Sequence, residues 1–202
     1  MRLNNCGRPH PCPPSPPRLR RNFRWRGRYI VPDLKINVPF TWHANNGNVQ
    51  MIAGSEHHRI HFTNLIYNHH LYTYTYKWPG LQPEFLPPLE SCAPLFQFSL
   101  RDLNAFFATS QYVGPEILLG KIKRYVHHFR ASVVVPELPS GFYPRLPVSS
   151  ADIYVDQSDS TQFVQVLHFG LQNIYDPSLD EWIVINQFSN RPGRVILPPV
   201  CT

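Results

Sequence analysis

Arginine supplies the plainest chemistry in this chain. Arg18, Arg20, Arg21, Arg24, Arg26 and Arg28 crowd into one short stretch, interleaved with Phe23, Trp25 and Tyr29. A guanidinium pairs bidentately with phosphate and stacks on bases, which a lysine ammonium does not do. Nucleic acid, single-stranded in particular, is therefore the expected partner, held by Arg18, Arg20, Arg21, Arg24, Trp25, Arg26 and Arg28. Phosphate contacts of this kind are sequence-blind and strongly salt-dependent. Phe23 and Trp25 would each add about 1–3 kcal/mol of stacking on unpaired bases. The same basic run also fits a nuclear import signal read by a host import factor.

Histidine is the other residue type that invites a chemical reading. His57, His58, His61, His69 and His70 lie close together, and three imidazoles on one strand face can hold zinc or iron. The order SEHHRIHF, however, is not the His-Glu-x-x-His arrangement in which the acid lies between the ligands. Cys6, His10 and Cys12 offer three ligands with no fourth at finger spacing. No metal site is expected, and no cofactor. A Gly-rich phosphate loop, a Gly-x-Ser-x-Gly elbow and a Cys-His-Asn grouping are all missing, so the chain does not read as an enzyme. The four cysteines, Cys6, Cys12, Cys92 and Cys201, form no Cys-x-x-Cys pair, and a disulfide framework is not expected.

The charge distribution divides the chain. Residues 1–32 hold eight Arg and no acid, whereas residues 33–202 hold 11 basic and 13 acidic residues. The first region is rich in Pro as well, with six between Pro9 and Pro17, and it lacks the apolar area that would offset the cost of ordering it. It is expected to be a disordered arm over 1–32, followed by a folded body over 33–202. Its prolines forbid the amphipathic helix of a mitochondrial presequence, and no apolar run long enough to span a bilayer occurs, so neither import into organelles nor a membrane is expected. With 43% apolar and only 16% charged residues, the chain has the composition of a surface covered by partners.

Short β-favouring runs broken by Pro, Gly and Asn fill that body. Strands are expected at Leu34–Trp42, Asn48–Ala53, His58–Tyr67, His70–Trp78, Leu95–Leu100, Arg130–Val135, Asp152–Val155, Thr161–Phe169, Trp182–Phe188 and Arg194–Leu197. In His70–Trp78 Leu71, Thr73 and Thr75 alternate with Tyr72, Tyr74 and Tyr76. The residues after Leu100 read as a short connecting helix, with Ser99 or Asp102 as its N-cap. Residues 115–130 fit two patterns. Leu118, Ile122, Tyr125 and Phe129 would share one helix face, but Gly120 and the β-branched run into Val133–Val135 favour a strand. The whole is an all-β antiparallel β-sandwich with one or two short helices.

The arm RLRRNFRWRGRY, then FQFSLRDLNAFF and, further on, KIKRYVHHFRASVVVP, give a layout that resembles the single jelly-roll capsid proteins of small circular single-stranded DNA viruses, the circovirus-like group. The resemblance implies a jelly-roll-like sandwich, icosahedral assembly of many copies, arms turned toward the genome, and residence in the virion and the host nucleus. On that footing the chain is expected to be a viral capsid (coat) protein that self-assembles and binds packaged nucleic acid through its Arg-rich arm. The alternatives are an accessory nucleic-acid-binding regulatory protein, such as a suppressor or movement factor, and an interaction module of a large eukaryotic assembly.

Overall fold

In a computed structural model of the chain, the structure describes residues 13–32, 35–54, 61–75, 92–119, 123–133, 149–167, 182–198 and 201. The protein is all-β, with one short helix. Its strands are β1 (Phe23–Val31), β2 (Ile36–Asn45), β3 (Asn48–Gly54), β4 (His61–Tyr67), β5 (His70–Thr75), β6 (Cys92–Gln97), β7 (Gln111–Leu118), β8 (Arg124–Val133), β9 (Ser149–Asp156), β10 (Asp159–Leu167) and β11 (Trp182–Ser189). The helix α1 (Leu100–Ala108) lies between β6 and β7 in the chain. All pairings are antiparallel, in the order β6-β5-β4-β3-β2-β1-β11-β10-β9-β8-β7.

Two features of that order follow from the chain. As expected, this is an all-β antiparallel fold of the sandwich kind: each described strand lies beside its neighbours in sequence, except that β6 and β7, separated by α1 in the chain, lie at opposite edges and the first strand pairs with the last. Short turns such as Asn46–Gly47, where both residues have positive φ, make such hairpins cheap. The sheet also curls hard. Trp42 on β2 and Phe163 on β10 are three strands apart, about 14 Å in a flat sheet, yet their ring centroids lie 5.8 Å apart. One face of the curled sheet thus encloses a single main core to which β1 to β5, β8 to β11 and α1 contribute.

The helix closes this core at the ends of the sheet. Ser99 is its N-cap and Asp102 returns the bond to the Ser99 backbone, a capping box. Leu100, Leu103 and Phe107 are buried, and Phe107 packs on Phe163 at 5.0 Å. The outermost strands are poor templates for pairing with another chain: β7 carries Pro115 beside an irregularity at Tyr112/Gly114, and β6 carries Pro94.

Three sequence expectations need correcting. The arm does not extend to residue 32 as a disordered tail. Phe23–Val31 is the central strand of the sheet, with Phe23, Trp25, Tyr29 and Val31 in the core. The segment before it is held too, since Leu19 is buried and its backbone exchanges two hydrogen bonds with the Asn104 side chain, at 2.7 and 3.1 Å. The stretch 115–130 is strand, as favoured, shared between β7, which ends at Leu118, and β8, which begins at Arg124, but the strand expected at Arg194–Leu197 does not form. Finally, Cys92 and Cys201 form a disulfide, with Cα atoms 4.9 Å apart and a sequence separation of 109. Cys6, His10 and Cys12 lie outside the described residues, as do His57 and His58.

Candidate nucleic-acid interface

The strand β1 reads FRWRGRYIV, and its alternation serves both faces of the sheet. Phe23, Trp25, Tyr29 and Val31 point into the core, while Arg24 and Arg26 are exposed and Arg28 half-buried on the other face. Alternate residues of a strand are about 6.6–6.8 Å apart, so the three guanidinium groups are rooted in a straight row. That interval is close to two phosphate steps of a stacked nucleic-acid strand, at about 3.4 Å each. An irregularity between Arg26 and Gly27 is confined to the pairing with β11; the register with β2 is unbroken from Phe23 to Val31. Gly27 is needed there, since a Cβ would collide with the Val184 carbonyl.

The surroundings of the row are neutral. Beside it stand Pro39, Thr41 and His43 on β2, and Gln187 and Ser189 on β11. None of the central strands β1, β2, β3 and β11 contains an Asp or Glu. Arg24 and Arg26 have no carboxylate partner among the described residues, and Arg18 and Arg21 are exposed without one as well. Arg28 is oriented by Asn37, donating from Nε to Oδ1 at 2.7 Å and from Nη2 to the carbonyl at 2.5 Å.

Not every residue expected at this interface reaches it. Arg20 is committed to Asp159, at 2.8 Å, and to Thr161, at 2.7 Å. The Asp159 carboxyl sits below its usual range: burial pushes it up, but the hydrogen bonds from Thr161 and the charge of Arg20 outweigh that. Trp25 is 2% exposed, stacked on Phe23 at 4.2 Å and set edge-on to Trp42 at 5.5 Å. It cannot stack on a base without leaving the core, and neither can Phe23. The arginine row therefore has no aromatic platform on its own strand.

His43 lies next to the row, opposite Arg24, and is buried. Its Nε2 is 3.0 Å from the Gln50 Oε1, and the backbone of Arg194 lies against the ring. Burial holds the imidazole below its ordinary value of 6.5; the Gln50 hydrogen bond opposes this and the charge of Arg24 adds to it. His43 is thus neutral at pH 7 and leaves the positive charge of this face to arginine. The cover over His43 is the segment after β11, where the Gly193 amide donates to the Ala44 carbonyl at 3.2 Å.

A second polar cluster occupies the other end of the sheet. His128 on β8 is 6% exposed at its side chain, with Nδ1 2.6 Å from Glu116 Oε1 and Nε2 3.0 Å from Asp152 Oδ1. Arg130 donates to both oxygens of Asp152, at 2.8 and 3.2 Å, and the His128 ring stacks on Tyr154 at 4.5 Å. Burial raises the Asp152 carboxyl, but the hydrogen bonds from Arg130 and His128 bring it below its usual range. Every member is satisfied by another, so the cluster ties β7, β8 and β9 together across the sheet rather than presenting a free group. Among the described residues no group of three or more His, Cys, Asp or Glu is arranged to hold a metal ion.

No protein-family model matches this chain, and no curated protein matches it in sequence at a significant level. Its functional reading rests on the residues themselves.

Proposed function

We propose that the protein is an accessory nucleic-acid-binding protein that grips the phosphate backbone without reading base sequence. The observation that supports this is the row Arg24, Arg26 and Arg28 on a rigid central strand, with no Asp or Glu on β1, β2, β3 or β11. A row rooted in a sheet loses little backbone entropy on binding, unlike a disordered arm that must order as it binds. Because Phe23 and Trp25 are in the core, the contacts are to phosphate, and single strands and duplexes are both suitable ligands.

Fluorescence anisotropy with a labelled 20-nucleotide single strand and with the matching duplex, titrated from 50 to 300 mM salt, tests the reading. The variant Arg24→Gln/Arg26→Gln/Arg28→Gln loses three phosphate contacts. By counterion release this lowers the single-strand log–log salt slope by about 2 and weakens binding on the order of 100-fold near 0.1 M salt. A wild-type chain that binds neither ligand at 50 mM salt, or a triple variant that binds as wild type does, overturns it.

The coat-protein reading has a separate observation in its favour. Val113, Ile117, Leu119 and Tyr125 are exposed large apolar residues on or beside the β7–β8 hairpin, and Ile117 lies directly opposite Tyr125. Light scattering coupled to size exclusion decides that reading, since a coat protein gives particles of many copies and an accessory protein gives a small species.

A further inference from the structure

The residues after β11 do not form the strand expected at Arg194–Leu197. They form a strap. From Ser189, paired with Arg24 on β1, the chain passes over β2, where Gly193 bonds to Ala44 and presses on the His43 ring so closely that a side chain at Gly193 would collide with it. It ends at Cys201, bonded to Cys92 on β6. β6 is four strands from β2, about 19 Å at ordinary strand spacing, and the eight residues from Gly193 to Cys201 reach about 26 Å when extended. The strap is thus long enough to reach its anchor, with the Cys201 amide bonded back to the Pro198 carbonyl at 2.8 Å.

Cross-strand pairing shows which face it crosses. Arg24, His43, Gln50, Leu65 and Tyr72 form one transverse row, and Arg26, Thr41, Ile52, Thr63, Tyr74 and Cys92 form the next. Both rows start at the exposed arginines of β1, and the second ends at the disulfide. Along them Gln50, Leu65 and Thr63 are 6%, 1% and 0% exposed, although none of them belongs to the main core cluster. The outer face is therefore open at β1 and covered from β2 onward, and the strap stands along the boundary. Arg191 and Arg194, which it carries, are both exposed, and the Arg191 amide is held by the Ser189 hydroxyl at 3.2 Å.

We propose that this strap is one wall of the phosphate-binding surface, that Arg191 and Arg194 are further phosphate contacts beside Arg24, and that the Cys92–Cys201 bond holds the strap's far end in place. The proposal rests on the nucleic-acid reading above and adds a redox control to it. Both cysteines are half-buried rather than enclosed, so a small dithiol reaches the bond. One thiolate of the dithiol attacks one sulfur, giving a mixed disulfide and one cysteine thiolate. Its second thiolate displaces the other cysteine, closing the reagent's own disulfide. Two electrons pass to the protein, and Cys92 and Cys201 take up the protons as thiols. The strap then keeps its contacts at Ser189 and Ala44 but loses its far anchor, so the segment beyond Gly193 is freed and Arg194 is held less firmly beside Arg24.

Anisotropy with a labelled 20-nucleotide single strand reads the effect on oxidised chain, on chain treated with dithiothreitol, and on Cys201→Ser. Release of Arg194 alone predicts about 5-fold weaker binding near 0.1 M salt and a slope smaller by about 0.7 on reduction or in Cys201→Ser. Arg191→Gln/Arg194→Gln, with the disulfide intact, loses both contacts and should bind about 25-fold more weakly, with a slope smaller by about 1.4 and no sensitivity to dithiothreitol. This variant decides the matter if Cys201→Ser does not fold. Wild-type binding that is unchanged by reduction and by the double arginine substitution overturns the strap while leaving the arginine row intact. Failure of the oxidised wild type to bind overturns the row itself.

Discussion

Replacing Trp25 by Ala separates a core strand from a basic arm more sharply than any binding assay. The indole is 2% exposed and lies against Phe23 at 4.2 Å, Trp42 at 5.5 Å, Phe163 at 5.6 Å and Phe188 at 6.1 Å. Truncating a buried Trp costs about 3–5 kcal/mol, and four lost ring contacts place this site toward the upper end. A small domain has a total of about 5–15 kcal/mol to lose, so the variant is left marginal or unfolded. With a urea m-value of about 2 kcal/mol/M, 4 kcal/mol moves the denaturation midpoint down by about 2 M. Urea titration followed by far-ultraviolet circular dichroism measures this directly. Arg26→Ala, one residue along on the exposed face, is the control and should stay within about 0.5 kcal/mol of wild type. A Trp25→Ala chain within 1 kcal/mol of wild type would refute the placement of β1 in the core, and with it the rigid row of arginines.

Three smaller tests follow from other parts of the fold. Ser99→Ala removes the α1 cap and should cost about 1 kcal/mol, seen as a lower urea midpoint at unchanged m-value. Gly27→Val should destabilise much more than Gly47→Ala in the same assay, because the first drives a side chain into the Val184 carbonyl while the second strains only a turn with open space around it. His43 is held below 6.5 in the folded chain, so the unfolded chain binds its proton first. Its contribution is fully present above pH 6.5 and is lost as the pH falls through the lowered folded-state value. The stability of His43→Gln should change less over that interval than that of wild type.

What could be read from the sequence was what local interactions decide. The Ser99–Asp102 cap is a contact between residues three apart, and it was legible. So were the alternating strands β2 to β5 and β9 to β11, whose turns are marked by Asn and Gly. β1 carries the same period-two signal, with Phe23, Trp25, Tyr29 and Val31 alternating with arginines. The charge drew the reading toward a solvated arm, yet on a strand one face can be fully charged while the other is fully buried. The disulfide and the strap were not legible, because a pairing across 109 residues depends on the curl of the sheet and leaves no mark in local spacing. For the same reason Arg194–Leu197 reads as a strand in sequence, and nothing there singles out Arg191 and Arg194.

Because one strand serves both the core and the arginine row, the two cannot be removed separately. β1 pairs with β2 over nine residues and with β11 over seven, and it is the piece that joins the strands β2 to β6 to the strands β7 to β11. At about 200 Å² each and 25 cal/mol/Å², Phe23, Trp25 and Tyr29 contribute a gross burial of about 15 kcal/mol, which equals or exceeds the net stability of a typical domain. Deleting residues 1–31 should therefore abolish the cooperative urea transition, not merely the affinity for nucleic acid. A deletion confined to residues 1–12 removes neither the strand nor the Leu19–Asn104 bonds and should keep the transition. A chain lacking 1–31 that still unfolds cooperatively at the wild-type midpoint would mean that the body folds without its central strand, and the basic segment would return to being a tether.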